Sequence, residues 1–106
     1  MQKFYKYIYW DENIPEKKRN QIKWRVKVSF RKMKPVYLVT LCEGPDQLEI
    51  YYSPILLQNF YRKNPRMIIG IAATYNGAIE IIRQITEECF QENHNCDLKY
   101  YLSQRE

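Results

Sequence analysis

Apolar and polar positions change period several times along the chain, and each change marks an element. Residues 4–10 (FYKYIYW) are a short aromatic run bounded by the polar turn Asp11–Asn13, which predicts a first strand. Asn13-Ile14-Pro15-Glu16 combines a cap-type residue, a proline for the first turn and a glutamate three residues after the cap, the signature of a helix start. Beyond Ile22 two templates compete. Ile22, Trp24, Val26, Val28 and Phe30 alternate with Lys23, Arg25, Lys27 and Ser29, as in a strand with one apolar and one cationic face. A helix instead groups Ile22, Val26, Phe30 and Met33. The start signal favours a helix from about residue 14 to 28, loosening before Pro35; the alternation keeps a strand over residues 22–30 open.

The remaining pattern is simpler. Val36–Cys42 (VYLVTLC) is an almost unbroken apolar run, as in a strand buried on both faces. Glu43-Gly44-Pro45-Asp46 is a turn, and Gln47–Tyr52 is the expected hairpin partner. Ser53-Pro54 opens a short helix with Leu56, Leu57, Phe60 and Tyr61 on one side, broken at Asn64-Pro65. Met67–Ala73 (MIIGIAA) predicts a third buried strand. Asn76-Gly77 begins a long helix whose face is Ala78, Ile82, Ile85 and Cys89, flanked by Ile79 and Ile81. A last helix covers about Asp97–Leu102. The order is β-α-β-β-α-β-α, which predicts an α/β (α+β) two-layer sandwich of ferredoxin-like order with an extra C-terminal helix, both principal helices on one face. At 106 residues the chain forms one domain, 1–106.

Charge changes this picture. Residues 16–34 hold nine Lys/Arg against Glu16 alone, whereas residues 35–106 hold six against nine Asp/Glu. The formal net charge of +5 therefore hides a polarised chain, and a concentrated cationic surface attracts anionic partners. Three cysteines, an odd and sparse set without a secretory leader, predict the reducing cytoplasm. No run approaches the ~20 apolar residues of a membrane helix, so no membrane partner is expected.

VYLVTLCEGPDQLEIYYS, IIGIAATYNGAIEIIRQITEE and CDLKYYL together resemble a family of short uncharacterised proteins from gut clostridia. The resemblance covers residues 36–102 well and the first third loosely. It implies a shared architecture with a helical basic segment, and no activity. The departure is the alternating run 24–30, unusually aromatic and β-branched here.

Candidate chemistry is sparse. Lys17, Lys18, Arg19, Lys23, Arg25 and Lys27 with Trp24 have the make-up of a nucleic-acid footprint, cations for phosphates and an indole for stacking. The plainer accounts are a solvated helix face whose charges keep a small protein soluble, or aliphatic stems that cover Trp24. No base-reading motif accompanies it, which predicts phosphate contacts with little base discrimination. The loop Thr74, Tyr75, Asn76, Gly77 between strand and helix offers free N–H groups to a small anion, but neither GxGxxG nor GxxxxGK[ST] is present. Cys89, His94 and Cys96 fall within eight residues, yet C-x4-H-x-C lacks a paired knuckle, so no metal and no cofactor is expected. His94 is the only histidine and no nucleophile adjoins it, so no enzyme is expected. The readings that follow are a non-enzymatic module binding nucleic acid or an acidic protein, then a protein–protein adaptor or homo-oligomer, then a small-anion sensor. Strong salt dependence distinguishes the first.

Overall fold

The computed structural model describes residues 3–28, 34–42, 48–56 and 66–105. Its elements are β1 (Lys3–Trp10), α1 (Glu16–Lys27), β2 (Tyr37–Leu41), β3 (Leu48–Tyr52), α2 (Ser53–Leu56), β4 (Met67–Ala72), α3 (Tyr75–Asn93) and α4 (Leu98–Arg105). The predicted turn 43–46, the continuation of the basic run through Phe30, Arg31 and Lys32, and the apolar side Leu57, Phe60 and Tyr61 lie outside the described residues.

The four strands form one mixed sheet in the order β1-β4-β2-β3. β1 runs parallel to β4, while β2 pairs antiparallel with both β4 and β3. This corrects the ferredoxin-like expectation, in which β1 would be an inner strand. Here β4, the most apolar segment, takes an inner place and β1 lies at an edge.

The two-layer expectation fails too. On one face Val26 and Ile22 of α1 pack with Ile14, Val36, Leu38, Ile68 and Ile71. On the other, Ala78, Ile81, Ile85 and Cys89 of α3 and Leu98, Tyr101 and Leu102 of α4 pack with Tyr5, Tyr9, Val39, Ile69 and Ala72. The result is three layers, α1 on one side and α3 with α4 on the other. The reason lies in β2 and β4, which present branched aliphatic side chains to both faces and need cover on both. Ile81 rather than Ile82 occupies the centre of the α3 contact, with Ile82 partly buried.

β4 carries the irregularity that seats α3. Val39 pairs with Gly70 and Thr40 with Ile68, leaving Ile69 as an extra residue, a β-bulge. Gly70 lies where the helix comes closest: a Cβ there would sit 2.9 Å from Ile81 Cγ2 and 3.2 Å from the Tyr9 carbonyl oxygen. Only a residue without a side chain fits that approach.

Two local expectations are corrected. Asn13 does not cap α1, which begins after Pro15 with no side-chain cap. Asn13 belongs instead to a turn in which its N–H donates to Asp11 Oδ1 at 3.0 Å. Ser53 starts α2, but its buried hydroxyl accepts from Val36 N at 3.0 Å and so ties β3 to the entry of β2. Among the described residues no helix is long and apolar enough to cross a membrane.

Candidate functional site

Residues 16–27 are helical, which settles the competition of templates over that span. A helix turns one residue in 3.6 and therefore distributes the cations of α1 around its girth. Only Val26 is fully buried, and the sheet holds the helix through it and the half-buried Ile22. Lys17, Asn20, Gln21, Trp24, Lys27 and Val28 are exposed, and their spacing places them along one outward stripe. Trp24 is 56% exposed.

The other α1 cations lean to the two flanks. Arg19 and Lys23 point towards β1, where the guanidinium lies 5.6 Å from the centre of the Trp10 ring and the ammonium 5.3 Å from that of Phe4. Together with Lys6 they border a shallow cavity of about 290 Å³. Lys18 and Arg25 border the opposite groove, about 320 Å³, which Lys34 and Thr74 also line. Of the predicted loop 74–77 only Thr74 reaches this groove, while Asn76 and Gly77 line a separate groove beside Asp11 and Glu80. Lys6, far from the basic segment in sequence, joins these flanks through tertiary structure alone. Among the described residues no carboxylate pairs with Lys17, Lys18, Lys23 or Lys27.

The opposite layer has the other sign. α3 carries Glu80, Glu87, Glu88 and Glu92 against Arg83, and Arg83 is bound to two of them, at 2.8 Å from Glu80 and 2.5 Å from Glu87. The sheet thus separates a cationic helix from an anionic one.

The strand–helix junction is built differently from the expectation. Thr74 caps α3, its Oγ1 accepting from Gly77 N at 3.0 Å. The second anchor is Asp11, 7% exposed, whose Oδ2 accepts from Ala73 N and whose Oδ1 accepts from Asn13 N, both at 3.0 Å. A Cβ on Gly77 would lie 2.4 Å from Asp11 Oδ2. The chain's own carboxylate therefore stands at the helix N-terminus, where an external anion would bind. Asp11 directly follows the strand-like run 4–10, but nothing in the sequence ties it to residues 73–77.

A further polar cluster joins β1, α3 and α4. Tyr9 and Tyr101 both donate to Glu88 Oε1, at 2.6 and 3.0 Å, and Arg105 donates to the Tyr9 hydroxyl. The Arg105 guanidinium lies 5.1–6.0 Å from the ring centres of Tyr9, Tyr7 and Tyr101. Burial, then the Glu88 carboxylate, raises the pKa of both Tyr9 and Tyr101. This cluster fastens the C-terminal helix to the sheet edge.

Cys89 is part of the core, donating to the Asn95 carbonyl at 3.3 Å, and burial pushes its thiol up. Among the described residues no three His, Cys, Asp or Glu side chains come close enough to hold a metal ion. Neither a family model, nor a curated protein, nor a solved structure matches this chain.

Proposed function

We propose that this protein is a small non-enzymatic binding module whose first helix takes an anionic polymer, nucleic acid in the first instance. The observation that carries the reading is Trp24. An indole 56% exposed in the middle of a helix, on one stripe with Lys17 and Lys27 and flanked by Lys18 and Lys23, combines stacking surface with cations that no carboxylate of the described residues neutralises. α1 is about 18 Å long at ~1.5 Å per residue, enough to follow several successive phosphates. Arg19 and Arg25 add charge at the flanks. The anionic α3 on the far side of the sheet orients the encounter by repelling the same partner. Membership of the clostridial family belongs to this proposal. The odd, sparse cysteine set supports a cytoplasmic setting.

The test is a fluorescence titration of a Trp10→Phe variant, which isolates Trp24, with random single-stranded and duplex oligonucleotides. Saturable quenching that disappears in Lys17→Glu/Lys27→Glu supports the proposal. An unchanged signal at low salt refutes it.

A second reading, a protein–protein adaptor or homodimer, is supported by a different surface. Tyr37 packs tilted against Tyr52 and edge-on against Tyr75, at 5.2 and 5.9 Å between ring centres, with Tyr52, Tyr75 and Ile79 exposed. The small-anion reading at Thr74–Gly77 gains no support, because Asp11 already serves that helix end.

A further inference from the structure

The loop Asp11–Ile14 separates two grooves of opposite character. The one beneath Trp10 is lined by Asp11, Glu12, Glu80 and Glu87 with a single arginine, Arg83. The other, about 320 Å³, is lined by Lys18, Arg25 and Lys34 and, among the described residues, by no carboxylate. Its apolar wall consists of Ile14, Ile22, Pro35 and Val36. Ile14 and Val36 are buried members of the core cluster under α1, so this wall is fixed by the fold. On α1, Lys18, Ile22 and Arg25 follow one another at spacings of four and three, one apolar side chain between two cations. Lys18 and Arg25 stand about 10.5 Å apart along the axis, at ~1.5 Å per residue.

We infer that this groove is a binding site for a small amphipathic anion, a carboxylate or sulfonate on an apolar body about two helical turns long. A mostly apolar concavity with a few charged groups at its rim is the usual make-up of a small-molecule site, and its volume falls at the lower end of that class. The occupant is chosen by charge complementarity. The charged side chains of this lining are all cations, beside the polar Asn13 and Thr74, so a neutral ligand gains the apolar wall and at most a neutral hydrogen bond, while an anion gains the wall and at least one charge-assisted contact. Inorganic phosphate gains the charge but leaves the wall wet. This ligand is distinct from the polymer proposed above, which is centred on the outward stripe of Lys17, Trp24 and Lys27 and meets Lys18 and Arg25 only at its flank.

The experiment uses the full chain and anilinonaphthalene sulfonate, an aromatic sulfonate whose fluorescence rises in an apolar site. Saturable binding at one site per chain is expected, with displacement by decanoate. Decanol, the same chain length without charge, displaces at least about tenfold more weakly, the worth of ~1.4 kcal/mol. Inorganic phosphate does not displace. Lys18→Glu/Lys34→Glu weakens the probe by about tenfold or more. Lys17→Glu/Lys27→Glu, with the same net charge change on the outward stripe, stays within about twofold of the parent chain. The inference is overturned if the probe does not bind, if decanol displaces as well as decanoate, or if the two variants lose affinity equally. Should the Lys18/Lys34 pair fail to fold, Lys34→Gln, outside every helix and strand, makes the same comparison. Failure here and failure of the nucleic-acid reading are separable, since the Lys17/Lys27 variant loses the polymer and keeps the probe.

Discussion

Gly77→Ala changes the sign of its effect with the residue at position 11. Replacing glycine by alanine inside a helix ordinarily gains about 0.5–1 kcal/mol, because alanine loses less backbone freedom. Here the new methyl would lie 2.4 Å from Asp11 Oδ2, 2.8 Å from Asp11 Cγ and 3.2 Å from Ala72 Cβ. Asp11 is short and buried, and both its oxygens are tied to backbone N–H groups at 3.0 Å, so it cannot swing aside freely. Restoring an ordinary contact moves the carboxylate by about 1 Å and breaks at least one of those bonds. A hydrogen bond to a charged group contributes about 1.5–3 kcal/mol, so the net effect is a loss of about 1–2 kcal/mol. In an Asp11→Ala background only the 3.2 Å approach to Ala72 Cβ remains, and the same substitution gains at most about 0.5–1 kcal/mol. The four proteins of the cycle are compared by urea unfolding with the slopes checked for constancy, and the coupling is at most about 2–3 kcal/mol. The reasoning is refuted if Gly77→Ala stabilises the parent chain, or if its cost is the same in both backgrounds.

Further outcomes follow from the same coordinates. Gly70→Ala places a methyl between Ile81 and the Tyr9 carbonyl and costs about 1–3 kcal/mol in urea unfolding, whereas Ala73→Gly, on exposed backbone, has no such packing term. Thr40 is fully buried with its hydroxyl unbonded, so Thr40→Val raises the thermal midpoint, by up to about 1–2 kcal/mol in stability. Tyr9 and Tyr101 hold their protons more tightly in the fold than in the unfolded chain. Their contribution is complete below the ordinary tyrosine value of about 10 and is lost as pH rises past it. Denaturant midpoints therefore fall above about pH 10, and Tyr9→Phe falls less steeply over that range.

The sequence carried the element order and the separation of charge, because both are local. Apolar runs, caps and turn dipeptides located β2, β4 and α3 to within a residue or two. The alternation over 22–30 misled only in part: Ile22 and Val26 form the buried side of a helix, and Trp24, which the strand template buried, is exposed. Strand order was not legible, since it depends on pairing β1 with β4 across more than 60 residues. One available signal pointed to the right layering. Two unbroken apolar strands, VYLVTLC and MIIGIAA, need cover on both faces, which a two-layer sandwich does not provide. For the candidate sites, the α1 cations and Lys34 were evident in the sequence, but Lys6 joined them only through folding. Asp11 looked like an ordinary turn residue, and its partner amide belongs to Ala73.

The central claim is that α1 binds a polyanion through its cations, and the salt dependence of oligonucleotide affinity tests it most directly. Lys17, Lys18, Lys23 and Lys27, at ~0.7–0.9 per phosphate neutralised, predict a log–log slope of about −3. In the single variant Lys17→Glu, with one of the four cations removed, the slope becomes about −2 or shallower. Binding whose slope is near zero, or is the same in both proteins, would contradict the account.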